Sequence, residues 1–240
     1  MIKDKKHLGA SVLELFVKFG APEEILYDSK PHIGTDLLQG VIKNMREEII
    51  RLGGRFYYET TLTDIEIKEN KLCQIEINHE HWIDCKNLVL AIGHSARDTF
   101  ELLLKRKVKL VPKPFAVGVR IEHSKDMINQ SQYGELKSVL PPASYKLTYT
   151  TKQGRGVYTF CMCPGGYVVN SSSEKNHLVI NGMSNYQRES PNSNSAIIVT
   201  VTPKDFGTSP LDGVKFQKNL EQKAYELGHG SIPSQRLEDF

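Results

Sequence analysis

NLVLAIGHSARDTF, running from Asn87 to Phe100, is the stretch on which the fold turns. Leu88, Val89, Leu90 and Ala91 lead into Ile92-Gly93; a small polar pair, His94-Ser95, follows, and then a helical pattern begins. An apolar run of this length closed by glycine predicts a strand buried on both faces. Gly93 lets the backbone turn sharply or approach a ligand closely. Ser95 is a natural cap for a helix starting near Ala96, and free N–H groups at such a start attract negative charge. The stretch therefore reads as strand, glycine turn and helix start. Ligands of open α/β sheets bind beyond the carboxyl ends of the strands, which makes this turn the first candidate for a ligand-contacting loop. An ordinary βα turn is the competing reading.

Upstream, Ser11 to Phe19 predicts a short amphipathic helix with Val12, Phe16 and Phe19 on one stripe, ended by Gly20. Pro22-Glu23-Glu24 has the composition of another helical first turn. Pro31-His32-Ile33-Gly34-Thr35-Asp36 then opens a strong helix, with Thr35 or Asp36 as its cap. Leu37, Leu38, Val41, Ile42, Met45, Ile49 and Leu52 recur at helical spacing up to Gly53-Gly54. A glycine turn, a hydroxyl and free N–H groups at a helix start can hold a phosphate or a ribityl hydroxyl, and a plain capped helix would look the same. Arg55 to Tyr58 predicts a short strand. Leu62–Lys68, Leu72–Asn78 and His81–Cys85 alternate apolar and polar residues around the turns at Glu69-Asn70-Lys71 and His79-Glu80, which predicts a three-stranded antiparallel meander feeding Leu88 to Ile92.

Downstream, Thr99 to Lys105 is helical. Two prolines in Val111-Pro112-Lys113-Pro114 mark a domain boundary. Beyond it Phe115–Glu122, Tyr145–Thr151, Gly156–Met162, Tyr167–Asn170, Leu178–Asn181 and Ala196–Thr202 read as strands, with a hairpin turn at Lys152 to Arg155. Ser124–Ser131 and Gly213–Leu227 read as helices. The fold class is α+β or α/β. Residues 1–110 form one region that includes the β-meander, and 111–240 form a mainly antiparallel sheet domain with flanking helices and a helix near its end.

The 240 residues are 39% hydrophobic and 25% charged, with a formal net charge of +3 spread along the chain. That is a globular composition with no basic stripe calling for nucleic acid. No apolar run is long enough to span a bilayer. The polar start, MIKDKKHLGA, has no apolar core of an export signal. Four cysteines, Cys73, Cys85, Cys161 and Cys163, make no disulfide framework, so reduced thiols in a cytoplasm are expected. Neither G-x-G-x-x-G nor G-x-x-x-x-G-K-[ST] occurs; Gly154-Arg155-Gly156 lacks the third glycine.

SKPHIGTDLL, VLAIGHSARDTFELL, KPFAVGVRIEH, GRGVYTFCMCPGGYVV and NGMSNYQR together resemble the bacterial FAD-dependent dehydrogenase-like flavoproteins, within the two-dinucleotide-binding-domain superfamily. The resemblance runs from about Leu13 to Asp239. It implies an internal fragment of a larger FAD-dependent oxidoreductase, without the N-terminal G-x-G-x-x-G unit and without the C-terminal FAD segment, in which residues 1–110 are a partial FAD-binding, Rossmann-like region and 111–240 a substrate-type domain. The parent would hold FAD; the fragment itself would be inactive and bind flavin weakly or not at all. Cofactor-side residues implied by the resemblance are His32, Gly34, Thr35, Asp36, Ala91, Gly93, His94 and Ser95. Substrate-side candidates are Cys163, Gly165, Gly166, Asn181, Met183 and Ser184, with Arg120 added because guanidinium grips carboxylate or phosphate in a fork. Arg155 and Arg188 share that chemistry. No catalytic residue and no metal site is assigned.

A flavin carries its own redox chemistry, so the absence of a hydrolytic triad is no objection to an oxidoreductase. His32 and His94 can polarise a carbonyl or simply bond to backbone. Cys161 and Cys163, two apart on a strand, would share a face and serve as core residues, a redox pair or half of a metal site; a zinc partner pair is missing, which favours structural or substrate-facing thiols. Tyr145, Tyr149, Tyr158 and Tyr167 stack on a ring or pack within the sheet. The alternative function is a tRNA-binding or structural domain with no cofactor of its own. The small-molecule substrate is left open, no nucleic acid or membrane partner is expected, and self-association through an apolar surface exposed by truncation is.

Overall fold

The computed structural model describes residues 8–239. Residues 1–7, most of the polar start read for the absence of an export signal, lie outside them. In chain order the elements are α1 (Leu8–Lys18), α2 (Thr35–Arg51), β1 (Leu62–Lys68), β2 (Lys71–Ile77), β3 (His81–Asp84), α3 (Arg97–Lys105), β4 (Phe115–Ser124), α4 (Lys125–Tyr133), β5 (Thr148–Thr150), β6 (Gly156–Cys163), β7 (Tyr167–Asn170), β8 (Ile180–Met183), β9 (Asn192–Val201), α5 (Pro203–Phe206) and α6 (Asp212–Leu227). Short 3-10 turns sit at Glu23–Leu26, Gly134–Ser138 and Leu237–Asp239. The mixture is α+β, with a three-stranded sheet β1-β2-β3, a four-stranded sheet β4-β9-β6-β5 and the pair β7-β8. No helix among the described residues is long and apolar enough to cross a membrane.

The chain folds into two compact units, each discontinuous in sequence. The first takes the residues up to Phe56, then Gly118–Val169 and Ile180–Val199. Its apolar centre is Ala21, Ile25 and Val41, covered by Leu13, Phe16, Val17, Phe19, Ile33 and Met45. The α1 stripe is thus Leu13, Phe16 and Val17, an i, i+3, i+4 set, and Val12 lies on the adjoining exposed face. Within the sheet of this unit β6 runs antiparallel to β9, with Thr159 opposite Ile197 and Phe160 opposite Ala196. The register then shifts, and Cys163 faces Asn194. Two residues, Cys161 and Met162, therefore oppose Ser195 alone. This is a β-bulge, and Cys161 takes the left-handed φ of +47° that such a kink demands. The regular alternation that would set both thiols on one face is broken here: Cys161 is exposed and Cys163 half-buried.

The second unit takes Tyr57–Val117, Asn170–Val179 and the residues from Thr200. The meander expected between Leu62 and Cys85 is present, with Ile65 opposite Ile75 and Ile75 opposite Ile83. Arg106, just past α3, reaches back to β1 and holds both oxygens of Asp64 through Nε and Nη2. Phe115, Phe206 and Phe216 form an aromatic cluster, with Phe115 and Phe206 centroids 5.0 Å apart. Arg97 is buried in a cage of carboxylates from Glu174 and Glu221.

Two expected strands do not form. Residues 88–92 join no ladder among the described residues, and Val89 is 88% exposed. A strand buried on both faces needs a hydrogen-bonding neighbour along its edges and cover on its faces. The described residues supply neither to this segment. Arg55 to Tyr58 is likewise irregular, with Tyr57 and Tyr58 exposed. Ser95 does not cap α3 either. Ala96 stands at the cap without a side-chain bond, while Ser95 Oγ pairs with His94 Nδ1 at 3.0 Å.

Candidate functional site

The first unit builds its site on the turn before α2. Gly34, at φ +87°, is the residue that caps the helix, and neither Thr35 nor Asp36 does so. A methyl at Gly34 would lie 2.3 Å from the Tyr186 nitrogen, so only glycine lets the two backbones meet. Three bonds fasten the meeting. The Thr35 N–H donates to the Ser184 carbonyl at 3.1 Å. The Tyr186 N–H donates to Asp36 Oδ1 at 2.9 Å. His32 Nε2 donates to the Asn185 carbonyl at 3.1 Å, which fixes the proton on Nε2 and leaves Nδ1 as the bare nitrogen. The first N–H of α2 thus serves the chain itself. His32, Gly34, Thr35 and Asp36 are brought directly against Ser184, one of the substrate-side candidates.

A second layer joins the same segment to the sheet. Arg120 of β4 donates through Nε to Asn194 Oδ1 at 3.1 Å and through Nη2 to the Cys161 carbonyl at 2.6 Å. The bulge is what turns that carbonyl toward the arginine. Gly182 lies under the guanidinium; a methyl there would be 2.6 Å from Arg120 Cζ. Gly165 sits against the Arg188 carbonyl, where a methyl would come within 1.8 Å, and Gly166 sits against the Met183 carbonyl at 2.3 Å. The left-handed backbone of Arg188 (φ +55°) is braced by Lys125, whose Nζ donates to the Arg188 and Glu189 carbonyls at 3.4 Å.

Charge in this layer is uncompensated. Among the described residues no carboxylate pairs with Arg120 or Arg188 in the ion pairs seen. Burial pushes the Cys163 thiol above its ordinary range, with the Arg120 and Arg188 guanidinium groups pulling against it. Burial pushes the His32 imidazole below its ordinary value; the Asn185 carbonyl opposes this and Arg188 adds to it. His32 is therefore neutral around pH 7.

Beneath lies a run of polar residues that pattern reading passed over. Ser193, Asn194 and Ser195 are all fully buried in β9. Ser193 Oγ accepts from the Gly165 N–H at 3.0 Å, and Ser195 Oγ donates to the Phe160 carbonyl at 3.3 Å. Asn194 spends Oδ1 on Arg120, and its Nδ2 is buried with no partner. The signal was the run Ser190-Pro191-Asn192-Ser193-Asn194-Ser195 entering an apolar strand. Polar residues at strand positions that ought to be core mark a built site.

The other predicted residues fall elsewhere. Asn181 is exposed and its Oδ1 accepts the Gly182 N–H at 2.8 Å; Met183 is half-buried. Arg155 lies in the exposed β5–β6 turn. Ala91, Gly93, His94 and Ser95 belong to the second unit. Gly93 has φ +70° and nothing within 4 Å of where a side chain would begin, and His94 is exposed. No cluster of three or more His, Cys, Asp or Glu that would hold a metal occurs among the described residues.

Glycine-strapped backbone contacts and two arginines without a carboxylate partner among the described residues gather in the first unit, and an open glycine turn lies in the second. A protein-family model described as "FAD-dependent protein, C-terminal domain-like" matches residues 114–240, and the chain belongs to that family. An uncharacterized protein of Clostridium beijerinckii is 51% identical over 242 residues, covering 98% of this chain and 45% of that protein. The chain thus spans a little under half the length of the curated relative it matches. FAD fits the chain in part: the Gly93 turn is unobstructed and flanked by polar side chains, whereas the Gly34 turn is filled by the chain's own segment 184–186.

Proposed function

We propose that this chain is the substrate-binding part, and one wall of the flavin pocket, of an FAD-dependent oxidoreductase. The observation that carries the reading is the strapping of the 32–36 turn to segment 184–188, beside two arginines that no carboxylate neutralises. FAD, when bound, supplies hydride or electron transfer. The chain's own residues bind, orient and shield. In this reading Gly93, Ala91, His94 and Ser95 hold the cofactor, and the exposed apolar run Val89, Leu90 and Ile92 completes a parallel, Rossmann-like sheet with strands of the longer protein. His32, Gly34, Thr35 and Asp36 hold segment 184–188 in place. Arg120, Cys163 and Ser184 face the substrate.

The test is an absorbance spectrum of the purified chain beside a version carrying the sequence that flanks it in its longer relatives. Visible flavin bands in the longer protein, bleached on reduction and weakened by Gly93→Val, are the expected result. A longer protein that is colourless after refolding with excess FAD overturns the proposal.

A further inference from the structure

We propose that Arg120, Arg188 and the Asn194 amide form a carboxylate-recognition site, so that the substrate taken by the first unit carries a carboxylate. The proposal rests on the reading of this face as the substrate side and adds the class of molecule. Three observations on different elements converge on it.

The first is a donor with a fixed direction. Arg120 is donor-only, so the Asn194 atom it touches must be the oxygen. Rotating the amide would set donor against donor. Nδ2 is therefore locked, on a residue with no exposure at all, and it has no acceptor within the described residues. Buried donors without partners are rare in folded proteins, and one held by a neighbouring guanidinium is aimed at something.

The second is unspent positive charge. Arg120 uses two of its five N–H groups. Arg188 uses its backbone N–H and carbonyl to fasten the turn, and its Nε is buried with no partner. Two carboxylates on neighbouring elements have other partners: Asp36 accepts the Tyr186 N–H, and Glu122 accepts from Asn192 Nδ2 at 2.5 Å. Arg120 holds the Cys161 carbonyl and the Arg188 backbone lies against Gly165, so both arginines flank the 161–165 segment, and both guanidinium groups pull on the Cys163 thiol within it.

The third distinguishes the kind of anion. Phosphate sites favour cradles of free backbone N–H groups at glycine turns and helix starts. Here the glycine-turn groups beside the arginines are consumed. The Gly165 N–H goes to Ser193, the Gly166 N–H to the Asn192 carbonyl and, at the start of α2, the Thr35 N–H to the Ser184 carbonyl. The donors beside Cys163 are side-chain groups: two planar guanidinium forks and one amide. Planar forks match the two coplanar oxygens of a carboxylate.

Calorimetric titration of the full chain with succinate, with neutral succinamide and inorganic phosphate as comparators, tests the site. Succinate is expected to bind and succinamide not. Arg188→Gln, which removes no side-chain bond seen in the fold, should weaken succinate about tenfold or more. Asn194→Asp keeps the acceptor that Arg120 needs and replaces the locked donor with a negative charge. It should abolish binding while the melting curve stays cooperative. Phosphate binding as tight as succinate, equal affinity in Arg188→Gln, or no heat from succinate would each overturn the proposal. Flavin absorbance is read on the same samples. A chain that takes succinate while its longer form stays colourless sinks the oxidoreductase reading and leaves the carboxylate site standing; a yellow longer form that ignores succinate does the reverse.

Discussion

Removing Arg97 should unfold the second unit far more readily than its position near the start of a nine-residue helix suggests. Its side chain is 4% exposed, and its two Nη atoms hold Glu221 in a fork at 2.6 and 3.0 Å while Nη1 also reaches Glu174 at 3.1 Å. Arg97→Ala would leave two largely buried carboxylates facing each other, with Lys218, 3.4 Å from Glu174, as partial compensation. Deleting one partner of a buried pair costs about 3–5 kcal/mol. At a denaturant slope of about 2 kcal/mol per molar urea this is a midpoint shift of about 2 M. The single tryptophan, Trp82, lies in β3 of the same unit, so its fluorescence during a urea titration reports the right part of the chain. Replacing Arg97 and Glu221 together by methionine should recover part of the loss, because the Glu221 charge is no longer stranded while Glu174 keeps Lys218. Glu174 adds a pH signature. Burial pushes its carboxyl up, but Arg97, then Lys218 and His177, outweigh that and hold it below the ordinary carboxylate range. Its stabilisation is full above that range and is lost as the pH falls through the depressed value. Arg97→Ala should flatten this acid-side decline. A midpoint shift under about 0.5 M, or strictly additive costs for Arg97→Ala and Glu221→Ala, would refute the reasoning.

Gly34→Ala should cost about 2 kcal/mol or more, through both the positive φ and the 2.3 Å clash with Tyr186, and amide exchange at Thr35 and Tyr186 should lose protection. Gly40→Ala, in the same helix with nothing within 4 Å of the added carbon, should instead raise the melting temperature, a gain of about 0.5–1 kcal/mol. His32 has a lowered value in the folded chain, so the unfolded chain takes the proton first; stability should fall as pH drops below the ordinary histidine value and level off once the folded imidazole also charges, with a proton NMR titration of His32 as the check. Iodoacetamide should modify exposed Cys161 before Cys163, whose thiol is pushed up by burial, and peptide mapping would read the order.

The local elements were legible because their periodicity is self-contained. The meander, the β5–β6 hairpin, α2 and α6 each carry a pattern that local sequence satisfies, and Ser124 does cap α4 by accepting from the Met127 N–H. Leu88 to Ile92 misled for a physical reason. An all-apolar run states that both faces want burial and says nothing about which strands will provide it. The α1 stripe slipped by one position because Leu13 and Val17 share its burial angle with Phe16, and Val12 does not. Helix ends were placed well and their caps poorly. At Gly34 and Ala96 tertiary partners, not side-chain caps, decide how the first turn is satisfied.

The site followed the same division. Gly165, Gly166 and Ser184 entered through the family resemblance and Arg120 through its guanidinium chemistry, and all four lie within one unit of the fold. Asn194 did not stand out, since an asparagine before an apolar strand reads as the end of a loop. In the fold β9 begins two residues before this asparagine and buries three polar side chains in succession. Two of the three have a plain structural use, because Ser193 satisfies the Gly165 N–H and Ser195 a carbonyl at the bulge. A purely structural account would have all three satisfied. Asn194 is the exception, half satisfied by an arginine whose own charge is left unmatched. Carrying an idle buried donor beside an unpaired cation is destabilising on both counts, which is the cost that the proposed acceptor bearing negative charge would offset.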